Sequence, residues 1–166
     1  MLKKVFVSIM IGGVMCGFSF AADEFALLRE EQIGNLRIDN PETEVRKNVH
    51  CALKRGPNKF GPGDGLYHQN WEYGSCGITL DMVSEEKGTL KSIGSITIVS
   101  PSTLTTKKGI RIGSTEQEVM KAYKSYWNRE DSEIWKNFVA GSIYGGLIFS
   151  FRNGKVSSMF LGAAAE

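Results

Sequence analysis

Few residues of this chain could do covalent chemistry. It holds two histidines, His50 and His68, and three cysteines, of which Cys51 and Cys76 lie beyond the N-terminal segment. A nucleophile needs an adjacent base, so a cysteine thiol paired with His50 or His68, or Ser75 with His68, would make a small cysteine or serine hydrolase. No His-x-x-x-His or Cys-x-x-Cys spacing offers a metal site, and no phosphate-cradling glycine loop or Gly-x-Ser-x-Gly elbow occurs. The adjacent carboxylates Glu85 with Glu86 and Glu130 with Asp131 fall in polar, turn-like runs, where solvation is the ordinary role of such residues. The expectation is a protein with no catalytic residues, metal or cofactor.

Compartment decides how the cysteines read. Lys3 and Lys4 precede an apolar stretch from Val5 to Phe20, and Ser19-Phe20-Ala21 has the small-x-small form of a cleavage site. Residues 1–21 therefore read as a signal peptide cleaved after Ala21, leaving 22–166 as one exported domain in the periplasm. The competing reading, an uncleaved anchor, meets acidic Asp23 and Glu24 and no basic stop-transfer cluster. Lipidation at Cys16 is disfavoured because Met15 precedes it. In an oxidising compartment the pair Cys51 and Cys76 reads as a disulfide. Closing a loop of about 26 residues would contribute roughly 3.5 kcal/mol.

The full chain has 166 residues, 42% of them hydrophobic and 23% charged, a composition that excludes a disordered tail or a fibre. Of its 20 basic residues two lie in the signal segment, so the remainder balances 18 acidic ones and leaves no surplus for nucleic acid. No stable membrane insertion is expected after cleavage.

Between the two cysteines runs Lys54 to Ser75, longer than most connections and therefore a candidate functional loop. It places Phe60, Tyr67, His68, Trp71 and Tyr73 beside Arg55 and Asp64, the aromatic and arginine mixture enriched at binding hot spots. The alternative for Trp71 and Tyr73 is that they begin a strand and pack inward. Phe60 and Asp64, bracketed by Gly61-Pro62-Gly63 and Gly65, read as an exposed tip.

The elements that must position this loop repeat weakly. At an offset of 74 residues, Leu36 to Val45 overlays Ile110 to Val119 with identity at five of ten positions. Each copy reads as a helix start, with Asn40 as N-cap before Pro41 and Ser114 as N-cap with Gln117 in a capping box. Val45, Val49 and Leu53 form one apolar stripe, and Val119, Ala122, Tyr123 and Trp127 form another, both core faces. Strands are predicted over Gly77–Val83, Leu90–Val99, Ile143–Phe151 and Val156–Leu161, the last two joined by Asn153-Gly154, a strong hairpin signal. The predicted fold is α+β, with two tandem helix-then-antiparallel-hairpin units over about 34–100 and 108–162 and the helices on one face of the sheet.

The run Gly109-Ile110-Arg111-Ile112-Gly113-Ser114-Thr115-Glu116-Gln117-Glu118-Val119 resembles the signature that opens the first helix in the beta-lactamase inhibitory proteins and the small outer-membrane assembly lipoproteins. The first copy departs from it, with Asp39 and Pro41 where glycine and threonine are expected, and carries a long insertion. The resemblance implies a tandem fold and a habit of binding proteins, and it makes Asp64 a candidate plug for a target's active site. The expected function is a periplasmic inhibitor or immunity protein that blocks an envelope-targeting toxin or hydrolase, such as a type VI secretion effector encoded by a neighbouring gene. An envelope-assembly accessory protein is the alternative.

Overall fold

A computed structural model describes residues 25–164, so the signal segment lies outside the described residues. Among the described residues three short α-helices occur: α1 (Ala26–Glu30), α2 (Glu42–Asn48) and α3 (Glu116–Tyr123). The strands are β1 (Lys54–Arg55), β2 (Lys59–Phe60), β3 (Tyr67–Tyr73), β4 (Ile78–Ser84), β5 (Ser92–Val99), β6 (Trp127–Asn128), β7 (Asn137–Ser142), β8 (Gly145–Arg152) and β9 (Lys155–Gly162). All nine join one antiparallel sheet in the order β1-β3-β4-β5-β9-β8-β7-β6, with β2 also pairing β3. None of the described helices is long and apolar enough to cross a membrane.

This corrects the expectation of two helix-then-hairpin units in an α+β layer. Five strands are unpredicted: β3 and β7 extend the hairpins and β1, β2 and β6 add short edge pieces, while β5 pairs with β9 to make the sheet continuous. The protein is mainly β. β3 was obscured because its outward residues His68, Asn70 and Glu72 and its inward Gln69 are all polar, so alternation shows only at Trp71 and Tyr73. α2 also stops early. Val49 is already extended (φ −122°), so Leu53 of the proposed stripe lies outside the helix.

Register puts one apolar face together. Trp71 opposes Leu80, Leu80 opposes Ile96 and Ile96 opposes Leu161, while Leu147 opposes Leu161 from the other side. All of these are buried. Val45 of α2 and Val119 and Tyr123 of α3 are buried in the same core. The reverse face carries Asn70, Thr79, Asp81 and Thr97, the pattern of an antiparallel sheet covered on one side.

The sequence pair at offset 74 does share one local device. Asp39 and Gly113 donate backbone N–H groups to Ile93 and Val156, whose own N–H groups return to Asn40 and Ser114. The caps fall one residue later than predicted, at Pro41 and Thr115. Thr115 forms the capping box with Glu118, whereas the Asn40 and Ser114 side chains accept from the backbone of Arg37 and Arg111. These side chains tie off the turn before each helix.

The hairpin signal at Asn153-Gly154 is met. Both residues have positive φ, 54° and 70°, as a two-residue turn of the right twist requires. Gly77 also has positive φ, 63°, and an added Cβ there would clash with the Val99 carbonyl oxygen. The absence of a Cβ at Gly77 lets the chain reverse into β4 immediately after Cys76.

Candidate functional site

The segment read as a long loop is an edge hairpin. β1 and β2 both pair antiparallel with β3, Arg55 opposite Trp71 and Phe60 opposite Tyr67, so residues 54–60 form one interrupted edge strand. Pro57 sits in the interruption, since it has no N–H for a ladder. The tip from Gly61 to Leu66 closes on itself: Gly61 donates to the Leu66 carbonyl, Gly65 donates to Gly61, and Asp64 Oδ1 accepts from Leu66 N at 3.0 Å.

Cys51 and Cys76 form the expected disulfide, with Cα atoms 6.2 Å apart. It joins the segment after α2 to the end of β3, which anchors the hairpin at the end opposite the tip.

The seven candidate binding residues divide into four groups. Trp71 and Tyr73 are 1% and 2% exposed and belong to the core, as the inward-packing alternative has it. Phe60 is 55% exposed and packs against Tyr67, ring centroids 5.3 Å apart at 58°. These two rings share the helix-side face of the sheet, because directly paired residues point the same way. Arg55 lays its guanidinium 4.5 Å over the Trp71 ring.

His68 points to the reverse face and holds the tip from below. Its Nδ1 lies 2.6 Å from Asp81 Oδ2 and its Nε2 lies 2.9 Å from Asp64 Oδ2. Asp81 comes from β4 at a diagonal position, which no spacing in the sequence reveals. Burial by itself would push the imidazolium down, but the hydrogen bonds and charges of Asp81 and Asp64 outweigh it and raise His68 above its ordinary value. Asp64 is lowered, chiefly by the Leu66 N–H, which outweighs the opposing effect of burial, and further by His68.

A pH dependence follows. The raised His68 contributes stability that is complete below about pH 6.5, its unfolded value, and is lost as pH rises through the higher folded value. The lowered Asp64 contributes stability above the ordinary carboxylate range and loses it only as pH falls through its own depressed value. Amide protection at Gly61 and Gly65, read by hydrogen exchange, is therefore expected to fall on the alkaline side of pH 6.5. His68→Phe should abolish that slope. A slope that survives the substitution would show that another group controls the tip.

The hydrolytic arrangements are not assembled. Both sulfurs are in the disulfide. Ser75 follows the C-terminal end of β3 while His68 lies near its start, roughly 20 Å away at about 3.3 Å per residue. Both imidazole nitrogens of His68 face carboxylates, leaving neither to take a proton from a hydroxyl.

One feature of this edge escaped the sequence. Lys91, 6% exposed, lines a cleft of about 850 Å³ with Arg46, Arg55, Asn58 and Trp71. Its Nζ donates to Asn58 Oδ1 and Ser84 Oγ, both at 3.0 Å. Burial pushes its ammonium down, opposed by the charges of Asp81 and Glu42. The available signal was parity, since Lys91 stands two residues before buried Ile93 and so on the inward side of β5. No family model, curated protein or solved structure matches this chain.

Proposed function

We propose that this chain is an exported, periplasmic protein-binding inhibitor or immunity protein whose β2–β3 tip docks on an envelope-targeting enzyme or toxin. The observation that carries this reading is Phe60, a large apolar ring packed against Tyr67 and displayed beside a hairpin tip that the Asp64–His68–Asp81 contacts close. An aromatic side chain already fixed in the free protein loses little freedom on binding, which is the advantage of a preorganised anchor. Leu90, 76% exposed at the end of the neighbouring β4–β5 connection, adds apolar surface to that end of the sheet. Both carboxylate oxygens of Asp64 are engaged, one by Leu66 N and one by His68 Nε2, so in this reading Asp64 shapes the tip that presents Phe60. The target is a protein encoded beside this one.

Phe60→Ala is expected to cost about 2 kcal/mol or more of binding to the neighbouring gene product. Unfolding temperature should stay nearly constant, because more than half of the residue is already in water. Titration calorimetry of wild type and variant against that product, after recovery of the complex from periplasmic extract, makes the measurement. Equal affinities would move the interface to the open sheet face and remove the tip from the mechanism.

A further inference from the structure

We propose that the cleft bounded by α2, β1, β3 and the β4–β5 connection is a binding site for an oxyanion, a carboxylate or phosphate group. The reading begins with a buried cation that lacks a counter-ion. An ammonium has three hydrogens to donate, and Lys91 has two neutral acceptors, Asn58 and Ser84. Among the described residues no carboxylate forms an ion pair with it. Buried charges are ordinarily paired, because water no longer compensates them.

The two carboxylates whose fields reach Lys91 are already committed. Asp81 is bound to His68 on the reverse face, and Glu42 pairs with Arg46 at 3.5 Å. Glu42 lines the cleft together with its partner Arg46, and Arg55 adds a further positive charge. Arg46 and Arg55 lie 5.3 and 4.5 Å over the Trp71 ring, and among the described residues Arg55 forms no ion pair with a carboxylate. A guanidinium over an aromatic face can still donate from its N–H edge, and Arg46 already turns one such group toward Glu42. A planar fork beside a point charge matches the oxygens of a carboxylate or phosphate, and the bonds are charge-assisted. A neutral ligand would leave the Lys91 charge as it is.

This site is independent of the docking role of Phe60, and small anions test it without any protein partner. The purified chain is titrated with inorganic phosphate and, separately, with glutarate, against sodium chloride at matched ionic strength. Thermal unfolding and calorimetry provide the readouts. The expected result is a saturable rise in unfolding temperature with one or both anions beyond the chloride control. Response to phosphate alone assigns a phosphate-bearing ligand, and response to glutarate alone assigns a carboxylate. Arg55→Gln, which leaves the buried Lys91 contacts in place, should weaken binding roughly tenfold or more. Lys91→Met should abolish it. If that variant fails to fold, Arg46→Gln supplies the second measurement, with weakening again expected. The proposal is overturned if neither anion exceeds chloride, or if the arginine variants bind as tightly as wild type.

Discussion

Phe149→Ala is expected to destabilise the protein by about 3 to 5 kcal/mol, the largest effect of a single truncation here. Phe149 is fully buried, with ring centroids 5.2 Å from Tyr123 and 6.3 Å from Phe138. It therefore joins α3 to two neighbouring strands, β7 and β8, and its loss empties a volume that three elements enclose. Neighbours this constrained cannot collapse into the space. Tyr123 is held by the bond from its hydroxyl to Glu31 Oε2 at 2.7 Å, and Glu31 Oε1 accepts from the backbone of Lys107 and Gln32. Urea unfolding would show the midpoint moving with little change in slope. Unfolding temperature should fall by roughly 10 to 20 °C. The fraction that remains folded should bind a partner as wild type does, since the site lies at the opposite edge of the sheet. A cost below about 1 kcal/mol would mean that the residue is not in a close-packed core.

The second large effect is removal of the disulfide. Reduction of Cys51–Cys76, or the double variant Cys51→Ala with Cys76→Ala, should cost about 3.5 kcal/mol through the freedom regained by the unfolded chain. The tip itself should keep its geometry. Its bonds from Gly61, Gly65, Asp64 and His68 are local, and the sulfurs lie at the other end of β3. Urea curves with and without reductant measure the loss, and amide exchange at Gly61 and Gly65 reports on the tip. Labelling of denatured, unreduced protein should find neither Cys51 nor Cys76 free. If reduction leaves stability unchanged, the hairpin is held by its ladder bonds alone.

Local chemistry was legible from residue order wherever the deciding interaction was itself local. The Asn153-Gly154 turn, the strands around Leu80 and Ile96, and the helix starts near residues 41 and 115 need only backbone preferences and short-range spacing. Cys51 and Cys76 were paired from compartment and number. Phe60 and Asp64 were placed at an exposed tip because Gly-Pro-Gly-Asp-Gly can hardly continue a strand.

What the tertiary structure decided depends on partners distant in the chain. β3 and β7 are strands because neighbours supply their ladders and cover one face, and that outcome converted two helix-and-hairpin units into a single sheet. Trp71 and Tyr73 went to the core for the same reason, since a single residue of register determines which face a side chain meets. Asp81 reached His68, and Lys91 reached Asn58 and Ser84, only because β3, β4 and β5 align in one particular register. Sequence spacing sets which residues share a strand face. Which charges meet across strands, and which are left without a counter-ion, is set by folding.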